Sequence, residues 1–191
     1  MTSPGIGSWL SKREVLNPHK EALIDGRRRY TYRELNQRVN RLANAFTTLG
    51  LKQGDRCAML AYNCAEYVEL IFASAKLGLI LIPLNWRLSI VELAFNINDS
   101  GATLLIFDAE FEETFVELRR QTAITQCIII GKANRIDAVT YVDLLSRQSD
   151  EPPVPGTPVS LESPHIIMYT AGTTGRPKGA VLSHGALRHN A

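Results

Sequence analysis

The feature that most limits how this chain can fold is a regular alternation of short apolar runs with longer segments of helical period. Residues 56–61, 79–84, 103–107 and 127–130 are apolar runs of strand length. Between and before them, apolar residues recur three or four apart, as in Leu35, Val39, Leu42, Ala43, Phe46 and Leu49, a series that stops at Gly50. That spacing puts one apolar stripe on a helix, and glycine is the residue that most readily ends one. Residues 65–77 make a second such helix closed by Gly78, and residues 110–121 a third. Thr31 with Glu34, and Ser89 with Glu92, have the three-residue offset of a capping box and mark two helix starts. Asp25-Gly26 sits between Leu23-Ile24 and residues 28–32 and predicts a tight hairpin. Strands that alternate with helices of this length pack as a mostly parallel sheet covered by helices, so the fold class is α/β.

Composition sets outer limits. A chain of 191 residues can bury one substantial core. Its net charge of +2 gives no global attraction to nucleic acid or acidic membranes. Lys12-Arg13 and Arg27-Arg28-Arg29 are local basic clusters, and the second reads as solvated charge on a strand edge. No aromatic platform accompanies these arginines, so nucleic-acid binding is not expected. Cys57, Cys64 and Cys127 lack metal-ligand spacing and read as reduced thiols of a cytoplasmic protein. His184 and His189 read as structural or solvated, with His184 helping to begin a final helix over 185–191. The apolar stretch 70–84 contains Lys76 and a helix-ending glycine, too short and too interrupted for a transmembrane segment. Residues 150–158 hold four prolines and read as an extended surface connection.

Chemistry is concentrated in Tyr169-Thr170-Ala171-Gly172-Thr173-Thr174-Gly175-Arg176-Pro177-Lys178-Gly179. Its glycines leave the backbone N–H groups free to close around an anion. Its threonines add hydroxyl donors, and Lys178 adds a fixed positive charge. Apolar Ile166-Ile167-Met168 before it and Ala180-Val181-Leu182 after it predict a donor-rich loop held between two buried strands. The Walker A loop needs Gly, four residues, then Gly-Lys-Ser/Thr. Counting on from Gly172 gives Pro177-Lys178-Gly179, with no hydroxyl after the lysine, so the spacing excludes that motif. A Gly/Thr-rich turn with a solvated lysine is the plainer reading of GTTG alone; the full string is much more specific.

The string closely resembles the signature loop of the adenylate-forming enzymes: acyl-CoA synthetases, luciferases and the adenylation domains of peptide synthetases. Their usual form reads YTSGTTGxPKG. Ala171 stands where serine is common, which removes one hydroxyl donor. Tyr30-Thr31-Tyr32-Arg33-Glu34-Leu35, Gly54-Asp55-Arg56 and Pro83-Leu84-Asn85-Trp86-Arg87-Leu88 extend the resemblance upstream. The last of these looks most like fatty acyl- and related carboxylate–CoA ligases.

This resemblance implies the N-terminal part of the adenylate-forming fold, incomplete. Residues 1–149 would be the N-terminal α/β subdomain, 150–163 a Pro-rich connection, and 164–191 the phosphate-binding loop with the start of the next α/β segment. It implies a two-step reaction. A carboxylate attacks the α-phosphate of ATP, releasing pyrophosphate, and coenzyme A then displaces AMP to give a thioester. Thr170, Ala171, Gly172, Thr173, Thr174, Gly175, Arg176, Pro177 and Lys178 would hold the phosphates, with Mg2+ as the usual ion. The implied partners are small molecules: a fatty or related carboxylic acid, ATP and CoA. Family members continue to an adenine pocket, an acyl tunnel, a magnesium-binding glutamate and a mobile C-terminal domain with a catalytic lysine. Residues 179–191 cannot contain these. The expectation is therefore an N-terminal portion of a ligase, inactive in isolation and with no catalytic residue of its own assigned. The alternative is a non-catalytic nucleotide-binding module or a remnant.

Overall fold

The computed structural model describes residues 5–154, 156–170 and 177–190. A 3-10 turn at Ile6–Ser8 runs into α1 (Trp9–Leu16), followed by the hairpin β1 (Glu21–Asp25) and β2 (Arg28–Thr31). The chain then alternates through α2 (Tyr32–Thr48), β3 (Arg56–Leu60), α3 (Ala65–Leu77), β4 (Ile80–Pro83), α4 (Ile90–Ser100), β5 (Leu104–Asp108), α5 (Glu112–Gln121) and β6 (Gln126–Ile130). Next come the two-residue β7 (Val139–Thr140), α6 (Tyr141–Ser146), β8 (Pro164–Thr170), β9 (Lys178–Ser183) and α7 (His184–His189). Among the described residues the main sheet has seven strands in the order β7-β6-β5-β3-β4-β8-β9. All its pairings are parallel except β8 with β9. The α/β class and the mostly parallel sheet are as the alternation predicts.

Both faces of the sheet are covered, which is why its central strands are apolar between their end residues. Alternate residues of one strand serve two cores. Cys57 and Met59 of β3 join the core built with α1, α2, α3 and α6, whereas Ala58 and Leu60 join the one built with α4 and α5. Phe107 of β5 stacks on Phe115 of α5 at 4.4 Å in the second core. Complete burial of one such side chain contributes about 1.5–3 kcal/mol. Local signals agree with this packing: both capping boxes form, at Thr31–Glu34 and Ser89–Glu92. Gly78 ends α3 in the left-handed region at φ +69°, which a side chain there would strain.

Four expectations are corrected. The segment after the Gly/Thr-rich string is an outer strand, not a buried one. β9 pairs with β8 on one side, the described residues put no strand on its other side, and Val181 is 59% exposed. The helix expected from residue 110 begins at Glu112, because Asp108 accepts from the Glu110 N–H at 3.0 Å and tightens residues 109–111 into a 3-10 turn. The final helix begins at His184 rather than 185, capped by Ser183. Arg28 is not simply solvated. It pairs with Asp25 and grips buried Glu66 through two contacts of 2.6 and 3.1 Å, anchoring the hairpin to the start of α3.

Candidate phosphate-loop site

The site begins with the β8–β9 hairpin. β8 runs parallel to β4, with Leu81 opposite Ile166. Carrying that register forward brings Thr170 level with Asn85, at the carboxyl ends of the parallel strands. Thr170 pairs directly with Lys178 across the hairpin, so these two residues form the mouth of the loop. Both are exposed. Pro177 stands just before Lys178. Ala171, Gly172, Thr173, Thr174, Gly175 and Arg176 lie outside the described residues. The described flanks are two antiparallel strands, whereas a Walker A loop joins a strand to a helix.

Two anchors hold the hairpin. At its loop end, the Tyr169 hydroxyl donates to Asp99 Oδ2 of α4 at 2.6 Å. Burial, followed by this carboxylate, raises the Tyr169 hydroxyl pKa, so it remains a donor. At its base, His165 at the start of β8 stacks on His184 at the start of α7, with ring centres 4.6 Å apart. Both rings are buried, and His184 Nδ1 accepts from the Ile6 N–H at 3.2 Å. Burial pushes His165 down to about 3, with the neighbouring His184 adding to the effect, and burial alone pushes His184 down to about 4. Both imidazoles are therefore neutral at pH 7, in structural positions.

A second constellation was not visible from the sequence. α3 follows β3 on one face of the sheet and α5 follows β5 on the other, yet β3 and β5 are neighbours. Their carboxyl ends thus form a topological switch point, where open α/β sheets bind ligands. Tyr62 after β3, Trp86 after β4 and Phe111 after β5 meet there. Tyr62 lies 4.9 Å from Trp86 and 5.1 Å from Phe111, and the Arg87 guanidinium stacks over Trp86 at 4.4 Å. Tyr62 and Trp86 are 40% and 39% exposed. An open aromatic shelf beside an arginine suits a planar base attached to a phosphate. Three separate loops supply it, so no sequence spacing could announce it.

No group of three or more His, Cys, Asp or Glu side chains among the described residues is placed to hold a metal ion. Cys57, Cys64 and Cys127 are free, and burial holds the Cys57 and Cys64 thiols up to about 12, far from a thiolate nucleophile at pH 7. No described helix is long and apolar enough to cross a membrane.

Comparison with known proteins agrees with the fold and the string. Residues 11–191 match the family of AMP-binding enzymes. The whole chain is 40% identical over 190 residues to a feruloyl-CoA synthase of Amycolatopsis, covering 35% of that protein. It is 37% identical over 179 residues to a crotonobetaine/carnitine–CoA ligase of Escherichia coli K12, covering 34% of it. Among solved structures, a fatty acyl-CoA synthetase of Mycobacterium tuberculosis superposes with a TM-score of 0.82 at 30% identity, across 94% of this chain and 34% of that one. An anthranilate–CoA ligase in complex with anthranoyl-AMP gives 0.87 at 25% identity, across 94% and 35%. The chain spans about a third of the length of these relatives, their amino-terminal part. With this fold and this match over residues 11–191, the chain belongs to the AMP-binding, adenylate-forming enzyme family.

Proposed function

We propose that the chain supplies the phosphate-holding, amino-terminal part of an ATP-dependent carboxylate–CoA ligase. The observation that carries this reading is the position of the YTAGTTGRPKG string. Thr170 and Lys178 close its loop at the carboxyl edge of a parallel sheet, in a chain 40% identical to a feruloyl-CoA synthase. In the first half-reaction a carboxylate oxygen bonds to the α-phosphorus and the bond to the β-phosphate oxygen breaks. Negative charge then gathers on pyrophosphate. Preorganised hydroxyl and N–H donors of residues 170–175 would stabilise that charge, with Lys178 as counter-charge and Pro177 limiting loop motion. The aromatic shelf of Tyr62 and Trp86, with Arg87, would receive a nucleotide moiety. The resemblance of Pro83 to Leu88 favours a fatty or related carboxylic acid over an amino or aryl acid, whereas the acyl groups named in two of the relatives, feruloyl and anthranoyl, are aromatic. CoA accepts the acyl group. The family implies Mg2+ bound with the phosphates. Turnover would need the remainder that longer relatives carry.

The test is binding of pyrophosphate and ATP to the 191-residue chain by calorimetry. Lys178→Ala should weaken pyrophosphate binding about tenfold, the loss of one charge-assisted contact of roughly 1.5 kcal/mol. Equal binding by variant and parent would overturn the assignment of the loop. The alternative, a nucleotide-binding module without turnover, is separated by ATP–pyrophosphate exchange in a protein carrying the full length of the relatives.

A further inference from the structure

A cavity of about 270 Å3 lies between the N-terminal segment, the end of α3 and the proline-rich connection. It is at the opposite end of the sheet from the phosphate loop. α3 ends at Leu77 and β4 starts at Ile80, so Lys76 stands by the amino end of β4, whereas Thr170 closes the carboxyl end of β8. The walls are held by close packing. A Cβ on Gly7 would come within 2.7 Å of the Lys76 backbone nitrogen, so this segment lies directly on the end of α3.

Lys76 is the unusual wall residue. Its ammonium donates to Ser11 Oγ at 3.1 Å, Asn36 Oδ1 at 2.8 Å and Asn40 Oδ1 at 2.6 Å, all neutral oxygens. The acids around it are turned to other partners. Glu14 of α1 accepts from Asn36 Nδ2 at 2.6 Å, and Asp150 gives its carboxylate to Arg41 and its carbonyl to Asn40. Burial pushes the Lys76 ammonium down to about 8, with Glu14 opposing the shift. A half-buried cation surrounded by neutral dipoles is poorly compensated, and an anion beside it would be favoured. The remaining walls near it are mainly apolar, from Ala75, Pro152, Pro153 and Val159, with the hydroxyls of Ser8 and Ser11. The volume falls just below the roughly 300–1,000 Å3 of pockets for drug-sized ligands, so the occupant is small.

We propose that this cavity binds a small monocarboxylate, between butyrate and benzoate in size, with its carboxylate on Lys76 and Ser11 and its body against Ala75, Pro152 and Val159. Ser11 is the partner that adjusts. Its contact with Nζ is the longest of the three, and its hydroxyl hydrogen, given to Asn36 Oδ1 over a long 3.4 Å, can turn to the carboxylate. This site is separate from the one where the proposed reaction would consume its acid, because the phosphate loop is at the other end of the sheet.

The experiment follows the melting temperature of the 191-residue chain in butyrate or benzoate, against chloride at equal ionic strength. Side-chain NMR titration of Lys76 accompanies it. The expected result is a saturable rise in melting temperature and titration of Lys76 about one to three pH units higher with acid bound. Lys76→Met should abolish the rise, Ser11→Ala should weaken binding several-fold, and Lys12→Met on the exposed side of α1 should leave it unchanged. An acid-dependent rise that survives Lys76→Met overturns the proposal. So does a Lys76 titration in the parent protein that ignores the acid, a result that requires no variant to fold. Orthophosphate giving the rise while both carboxylates fail would overturn the ligand class.

Discussion

The hydroxyl of Tyr169 donates to Asp99 Oδ2 at 2.6 Å, tying the last turn of α4 to the strand that leads into the Gly/Thr-rich string. The contact joins an element of the second core to the mouth of the proposed site. Tyr169→Phe keeps the ring and its edge-on contact with Phe95 but removes the bond. It should cost about 0.5–1.5 kcal/mol in urea unfolding. It should also weaken pyrophosphate binding, since one anchor of the loop is gone. Stability lost with binding unchanged would show that the anchor does not reach the loop.

Across the hairpin from Tyr169 is Gly179. A Cβ there would come within 2.8 Å of Ile167 and 3.2 Å of the Tyr169 ring, so the ring occupies space that only glycine leaves. Gly179→Ala should therefore destabilise by about 1–3 kcal/mol through overpacking, even though this strand is exposed. A thermal melt equal to that of the parent protein would mean that Tyr169 turns aside without loss.

Much of the fold is legible in the sequence because independent signals coincide. The interiors of β3 to β6 are apolar since both faces are covered, and α2 and α4 open on capping boxes that form as spelled. Other elements carry weak signals. α1 buries only Leu10, so its pattern shows little periodicity, and β7 has only two residues. Ala180-Val181-Leu182 reads as buried by composition, and nothing local reveals that its strand ends the described sheet. At the site, the string from Tyr169 to Gly179 stands out on its own. Its placement at the carboxyl edge, the tie to Asp99 and the shelf of Tyr62, Trp86 and Phe111 all depend on which strands become neighbours, and local patterns do not encode that.

Buried Glu69 holds α2, α3 and α6 together. It accepts from Arg38 at 2.5 and 3.2 Å and from the Tyr141 hydroxyl at 2.6 Å. Removing one partner of a buried pair leaves an uncompensated charge. Arg38→Leu should thus cost about 3–5 kcal/mol in chemical denaturation. Replacing the group as a whole, with Arg38→Leu, Glu69→Met and Tyr141→Phe together, should recover most of that loss. A triple variant no more stable than the single one would show that the polar group itself contributes net stability.

The stacked pair His165–His184 gives the fold an acid limit. An ordinary histidine titrates near 6.5, but here burial lowers the two to about 3 and about 4. As the pH falls below 6.5, the unfolded chain takes up protons that the folded chain does not. Stability is therefore lost progressively from pH 6.5 towards 4, and is fully present above 6.5. His165→Phe keeps a stacked ring without a titrating group. Its urea midpoint should fall less steeply over that window than the parent's, and parallel curves would rule out His165 as a source of the slope.

Trp86 reports on the aromatic shelf. The chain has two tryptophans, and Trp86 is 39% exposed beneath the Arg87 guanidinium. A base that stacks on this shelf must contact the indole or displace the arginine from it, and either event changes the fluorescence. Titration with CoA or ATP should quench the emission saturably. Trp86→Phe should remove the quench while preserving an aromatic face, so affinity measured by calorimetry should fall only a few-fold. Trp86→Ala should lose about 1–3 kcal/mol of stacking. Arg87→Gln should lower affinity for the phosphate-bearing ligand but not for adenosine, because the guanidinium acts on the phosphate's charge and otherwise only covers the indole face. A quench that persists in Trp86→Phe would arise from Trp9, on the N-terminal helix, and would remove the shelf from the proposed site.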